Sequence, residues 1–506
     1  MCSKKTMASV GAWPCRLSVQ KFLFILVLLY LVISWLFYPD LLTLSTRVFE
    51  RVRGSGGDFR DVPPASIKRA PTTPRVPAVF VLNHPVDFAL SDDTDSAPTD
   101  DFIEVPPAYG PCDGFYESFI DVGSYVYVYS VYWDPRLNDF DNLDNGVFLR
   151  IMVTADNWWA ESDPALNCVF TTSSSEELSA HVSVYKLFEQ HNSKFGGYML
   201  SCEVPEVIYG ADRFKAQCNV RLSPTLESNV WKRFAITNTV PVTSARQREF
   251  TVCVPPLSGE IHKSRIIEFM ELTRLLGASH VMFYDYDLSS DTRLLLQYYA
   301  ENKRATLLPW KLIDIQLEMA DYLNHVEALA MTDCLYRNMA TSKYVVFMDV
   351  DEYIIPYMQT SWRSMMAYLD DGKTSGFEFE SVFFDRHSQE QSPNVTHNMP
   401  RTLMYTWRSL RTNSVHTRFI VKPQLVLGMS VDYRIRAVLL RHPTRRVTYP
   451  VALLHRYGVC QPGGDDDCEY VIQDTVVPRR YLHVLRRLCK QQSAQFAKYH
   501  DEIYYF

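Results

Sequence analysis

Between residues 250 and 356 the hydrophobic pattern changes period repeatedly, and few folds accommodate that. FTVCV at 250–254 is a short apolar run closed by Pro255 and Pro256. Residues 260–276 then place Ile261, Ile266, Phe269, Met270, Leu272 and Leu276 on a helical period that Gly277 stops. Residues 280–284 read as a strand, 291–303 as a helix, 305–310 as a strand and 325–339 as a helix. A further apolar run, 344–348, follows. Strands alternating with helices at this spacing predict an α/β fold, a mostly parallel sheet flanked by helices. Beyond it, 376–384 and 417–421 read as strands, and 481–499 as a helix with exposed arginines.

The last run of that alternation, in KYVVFMDVDEYIIP at 343–356, ends in three carboxylates, Asp349, Asp351 and Glu352. Residues two apart in an extended chain point the same way, so Asp349 and Asp351 share one spot at the strand's C-terminal end. Open α/β sheets bind ligands at that edge. Two close carboxylates repel, and a hard cation with oxygen ligands removes the cost. Mg²⁺ or Mn²⁺ held by one or two carboxylates keeps positions that substrate phosphates can fill. Asp-x-Asp recurs at Asp93/Asp95, Asp139/Asp141, Asp285/Asp287 and Asp465/Asp467, but only Asp285/Asp287 and Asp349/Asp351 directly follow an apolar strand. There is no G-x-G-x-x-G after the first strand, no G-x-x-x-x-G-K-[ST] and no G-x-S-x-G, which leaves dinucleotide, P-loop and serine-hydrolase sites without support.

The N-terminal half reads differently. FLFILVLLYLVISWLFY at 22–38 is 17 uncharged residues, the short end of a membrane span. Lys4, Lys5, Arg16 and Lys21 precede it and no acid appears before Asp40, so residues 1–21 are expected in the cytoplasm and the rest in the lumen. The run is longer than a secretory h-region and no small-x-small site follows, which favours an uncleaved signal anchor over a cleaved peptide. Residues 39–77 read as a stem, basic and Gly-rich, then stiffened by five prolines. Residues 78–245 read as a β-rich accessory domain with strands at 125–133, 147–153 and 197–204; its many tyrosines and Trp158/Trp159 fill the core of a small sandwich, or stack on sugars. Residues 246–506 form the α/β domain.

A net charge of −7 gives no basic footprint, so nucleic acid is not expected as a partner. Nine of the 11 cysteines fall on the luminal side, where disulfides form, and an odd number leaves at least one outside intramolecular pairs. Cys460 and Cys468 bracket QPGGDDD as a candidate local bridge. No ligand spacing for zinc appears. Asn394-Val-Thr396 is a glycosylation sequon suited to a surface loop. In such a compartment a metal–diphosphate site points to a nucleotide-sugar donor.

CVPPL at 253–257, EFMELTRLLGASHVMFYD at 268–285 and EALAMTDCLYRNMATSKYVVFMDVDEYIIP at 327–356 resemble glycosyltransferase family 92, the DUF23 family. RFIVKPQLV at 418–426 and ALLHRY at 452–457 are similar to it as well. Where members often carry a His after the KPQLV-like strand, this chain reads GMSVD at 428–432. The resemblance implies a GT-A-type fold and Golgi β-1,4-galactosyltransferase activity. It further implies UDP-galactose as donor, Mn²⁺ as cofactor, and galactose or fucose of glycoprotein N-glycans as acceptor, in a single-pass type II Golgi membrane protein. His455 would be a third metal ligand, as a C-terminal His often is in GT-A enzymes. Inversion at the sugar needs a carboxylate base; Glu378, Glu380 and Asp385, on or after the next strand, are the candidates. Pro255 and Leu257 would pack on uracil, Asp285 would meet the nucleoside, and Lys422 or Arg418 the diphosphate. Arg337 and Asp333, four apart, read as an internal ion pair. Two other readings stand beside it: a luminal metal-dependent nucleotide-sugar hydrolase using the same carboxylates, and a membrane-tethered glycan-binding protein using the aromatic β-rich part, 78–245, alone. Oligomeric state is left open.

Overall fold

The computed structural model describes residues 119–122, 126–136, 147–156, 167–171, 176–187, 195–205, 248–310, 319–386, 399–429, 435–460 and 470–504, with backbone alone at 78–81, 171, 220–223, 232–234 and 319–326. The expected anchor, the stem, Trp158, Trp159, Asn394 and Cys468 lie outside them. No helix among the described residues is long and apolar enough to cross a membrane. Everything below belongs to one compact unit, Ala65–Phe506.

In chain order the strands are β1 Ala78–Val81, β2 Ile120–Asp121, β3 Val126–Asp134, β4 Phe148–Asp156, β5 Asn167–Thr171, β6 Glu177–Lys186, β7 Phe195–Glu203, β8 Val220–Ser223 and β9 Lys232–Phe234. The α/β part adds β10 Arg248–Cys253, β11 Leu257–Gly259, β12 His280–Leu288, β13 Ala305–Pro309, β14 Ser342–Phe347, β15 Glu352–Pro356 and β16 Gly376–Asp385. Then come β17 Trp407–Ser409, β18 Asn413–Val421, β19 Val426–Met429, β20 Ile435–Ala437, β21 Thr444–Val447, β22 Ala452–Gly458 and β23 Tyr470–Gln473. The helices are α1 Lys263–Leu276, α2 Ser290–Glu301, α3 Met319–Asn338, α4 Trp362–Leu369, α5 Arg401–Met404 and α6 Val476–Tyr504.

The main sheet runs β11-β12-β10-β14-β18-β16-β22-β15, with β13 on β12 and β21 on β16. β10, β11, β12, β13 and β14 are mutually parallel along their ladders, and so are β16, β21 and β22. β18 runs antiparallel between β14 and β16, and β15 antiparallel to β22. The expected helices bound these strands. His262 caps α1 by accepting the Ser264 N–H, and Gly277, at φ 125°, ends it where a side chain would be strained. Ser289 caps α2, and a Ser361/Ser364 capping box opens α4.

Each sheet face is buried. Phe250, Tyr344, Val346 and Met348 pack with α1, α4 and α6. Cys253, Val345 and Phe347 face α3, and the far side of α3 meets Tyr127, Tyr129, Tyr132 and Phe195. The β-rich part is thus one antiparallel sheet, β2-β3-β4-β7-β6-β5-β8-β9, rather than two stacked ones among the described residues. Its aromatics fill a core shared with α3 and Trp310. Its opposite face buries a second set, with Leu149, Ile151 and Leu200. Disulfides join Cys168 to Cys202 and Cys253 to Cys334, the latter fastening β10 to α3. Cys460 is disulfide-bonded too, and Cys489 is a free thiol.

His280, first residue of β12, is buried with Nε2 2.8 Å from Thr306 Oγ1. Burial, aided by the Arg248 charge, pushes its pKa from 6.5 down to about 3. Below 6.5 the unfolded chain gains a proton there that the folded chain refuses, so stability is lost as pH falls. The slope is about 1.4 kcal/mol per pH unit for this one group. Urea titrations are expected to show His280→Gln losing about 2 kcal/mol less than wild type between pH 6.5 and 5.

Candidate active site

The C-terminal ends of β10, β12 and β14 lie at one edge because their ladders are parallel and in step, Cys253 opposite both Met282 and Phe347. The chain leaves that edge through Met348 and Asp349, turns, and returns as β15, with the Glu352 N–H donating to the Asp349 carbonyl. The turn sets Asp349 half-buried and Asp351 exposed at the mouth, and drives Glu352 inward, 4% exposed. The Glu352 carboxylate reaches back to the Asp349 N–H at 3.0 Å.

Arg418, from β18, reaches this turn. Its Nη2 lies 2.6 Å from Asp349 Oδ2 and its Nε 2.6 Å from Glu352 Oε2. Arg456 on β22 stands 3.5 Å from Glu352 Oε1. Desolvation raises the Glu352 pKa to about 7, with Arg418 opposing and the two aspartates adding to the rise. Asp351 touches solvent, yet the protein around it and the Asp349 charge raise its carboxyl above the ordinary carboxylate range. The Asp349 charge thus acts on Asp351. Two carboxylates are the donor type a hard divalent cation takes, with the Asp349 carboxylate already paired with Arg418.

The other candidates divide by position. Leu257 pairs in register with Asp285 on the neighbouring strand, and Pro255 is buried at the end of β10, so these three flank one side of the mouth. Asp285 is held there by Arg293, Nε to Oδ2 at 2.5 Å. Asp385 ends β16 opposite Gly458; the preceding Tyr457 donates its N–H to the Asp351 carbonyl at 3.1 Å, which brings Asp385 to the same edge. Its Oδ1 accepts the Cys460 N–H. Glu378 and Glu380 sit further back on β16, Glu378 bound to Arg446 at 3.1 Å and to Thr417, Glu380 to Thr412.

Two expected residues are not brought to the mouth. Lys422 pairs with Asp370 at 2.8 Å at the opposite edge of the sheet. The reason is strand direction: β18 is antiparallel to β14, so Arg418 approaches Asp349 while Val421 lies beside Val345. His455 lies inside β22, three residues short of its end, 1% exposed. Its Nε2 is 2.8 Å from the Tyr357 hydroxyl and its Nδ1 3.2 Å from the Tyr457 hydroxyl, and its ring lies against Phe384. Tyr357 also donates to Asp474, which Arg408 holds at 2.9 Å. Burial depresses the His455 pKa to about 3, so the ring is neutral, but both nitrogens are engaged. No cluster of three His, Cys, Asp or Glu side chains able to hold a metal occurs among the described residues. Arg337 makes the expected pair with Asp333, at 2.7 Å.

Sequence reasoning passed over Arg265, Arg401 and Arg456. Arg456 stood inside the quoted ALLHRY segment and could have been noticed. Arg265 and Arg401 come from segments 136 residues apart (401 − 265), with no local signal that they meet.

A carboxylate pair at the end of a buried parallel strand suits a glycosyltransferase, and the comparisons support that class of enzyme. The sequence profile of Glycosyltransferase family 92 matches residues 248–470. That segment of the chain is similar to glycosyltransferase family 92. The Caenorhabditis elegans protein beta-1,4-galactosyltransferase galt-1 is 24% identical over 344 residues, 67% of this chain and 75% of that protein. Glycosyltransferase family 92 protein F13G3.3 of the same organism is 28% identical over 135 residues, 25% of this chain and 27% of the relative. Among solved structures, S. aureus TarS 1-349 overlaps 41% of this chain and 60% of its own, at 13% identity and a TM-score of 0.24.

Proposed function

We propose that this enzyme transfers galactose from UDP-galactose, with inversion, in β-1,4 linkage to galactose or fucose of glycoprotein N-glycans. In this reading Mn²⁺, or Mg²⁺ in its place, is held by Asp349 and Asp351. The α/β part would be of GT-A type. The observation that carries the reading is the position of Asp349 and Asp351 just past the end of β14, in a segment matched by the family. The name of the C. elegans relative supports galactose. When bound, the cation would neutralise charge developing on the diphosphate leaving group.

The protein's own groups have separate tasks. Arg418 pairs with Asp349 and fixes its carboxylate against Glu352. Leu257 and Pro255 offer apolar surface for a uracil, beside Asp285 for the nucleoside. Asp385, the candidate base nearest the mouth, takes the acceptor's proton; Glu378 and Glu380 are tied to partners deeper along the strand. The apolar run 22–38 and the sequon at Asn394 support a type II Golgi membrane protein with a luminal catalytic part.

The test is a panel of UDP-sugars offered to the full-length protein with a released N-glycan library, with and without EDTA. Galactose alone is expected to be transferred, with activity lost in EDTA and restored by Mn²⁺. Transfer of another sugar in its place, or full activity in EDTA, would refute the proposal.

A further inference from the structure

The charges around the mouth do not cancel. Arg418 and Arg456 are taken up by Asp349 and Glu352. Two further guanidinium groups belong to Arg265, in the first turn of α1, and Arg401, the first residue of α5, both half-buried. Their charges act on each other, and Arg265 also senses Asp351 and Tyr405. Neither forms an ion pair among the described residues. The carboxylate best placed to neutralise them, buried Glu268, instead accepts the backbone N–H groups of Arg401 and Thr402, at 3.0 and 2.7 Å. The Arg265 Nε is buried and has no hydrogen-bond partner.

Such an arrangement is costly in isolation. A buried donor without an acceptor is destabilising, and like charges side by side add repulsion. Guanidinium forks match phosphate oxygens in geometry and charge. We propose that Arg265 and Arg401 form an anion seat for the diphosphate of the nucleotide-sugar donor, beside Asp351. This rests on the donor reading above and assigns the leaving group's contacts. In the transfer, the acceptor oxygen bonds to the sugar's anomeric carbon and its proton passes to Asp385. The bond from that carbon to the phosphate oxygen breaks, and the electron pair stays on the phosphate. The new negative charge then lies beside Arg265 and Arg401.

The test is calorimetric titration of the full-length protein with UDP, uridine and inorganic pyrophosphate, for wild type, Arg265→Gln, Arg401→Gln and Arg265→Lys. Losing one charged hydrogen-bonding partner is expected to weaken UDP and pyrophosphate roughly 10- to 100-fold in each Gln variant. Uridine binding is expected to stay unchanged and Arg265→Lys to recover part of the loss. The melting temperatures of the ligand-free variants confirm folding. Unchanged UDP affinity in both Gln variants, or uridine falling in parallel with UDP, overturns the seat, as does a wild type that binds neither UDP nor pyrophosphate. Pyrophosphate binding that is lost in the Gln variants, in a protein that never binds UDP, keeps the seat and removes the nucleotide-sugar reading.

Discussion

Alanine at Asp351 is expected to lower kcat/KM for sugar transfer by on the order of 1,000-fold, about 4 kcal/mol of transition-state stabilisation. Asp351 is the exposed member of the carboxylate pair and, unlike Asp349, has no ion pair holding it in place among the described residues. Its cost to the apo fold runs the other way: it sits beside Asp349 with a raised pKa, so its removal relieves repulsion. The melting temperature of Asp351→Ala should therefore match or exceed that of wild type, while Mn²⁺ titration followed by EPR shows the affinity lost. Asp349→Ala is a different experiment, because it also leaves Arg418 with Glu352 alone. Transfer kinetics at saturating Mn²⁺ separate the outcomes. An Asp351→Ala protein within tenfold of wild type would place the diphosphate elsewhere.

The largest effect on stability is expected at Asp333, far from the chemistry. Its carboxylate, wholly buried, accepts from Ser130 Oγ and Tyr132 OH at 2.5 Å, Tyr284 OH at 2.7 Å and Arg337 Nε at 2.7 Å. One side chain on α3 thus gathers donors from β3, β12 and its own helix. Alanine there strands three hydroxyls and a guanidinium in the interior. Breaking a buried ion pair by deleting one partner costs about 3–5 kcal/mol, and orphaned hydroxyls add to it. The partial exposure of Arg337, 22%, keeps its own share at the lower end. Urea unfolding followed by tryptophan fluorescence should show the midpoint drop sharply for Asp333→Ala. Arg337→Met should cost less, since the three hydroxyl bonds survive it.

How much of this was legible follows from what is local. A strand buried on both faces is a run of apolar residues, so β10 and β14 stood out, and the charge that ends β14 marked the mouth. Helix ends were readable to within a few residues. α1 begins at Lys263 rather than 260 because β11 occupies Leu257–Gly259 and His262 supplies the cap. Strand direction is not local. Lys422 and Arg418 are four residues apart, yet the reversal of β18 sends them to opposite edges. His455 closes an apolar run, which looks like a strand end, but β22 continues to Gly458 and leaves the ring among Tyr357, Tyr457 and Phe384. The tyrosines of β3 announced a packed face without revealing that α3 would be what they pack on.

The bond between Cys253 and Cys334 joins the strand leading into the mouth to the helix that carries Asp333, across 81 residues of chain. Both sulfurs sit where solvent never reaches. Forming this cross-link is a two-electron oxidation, so it needs an electron acceptor. The strand and the helix are therefore tied together only in surroundings that take electrons away.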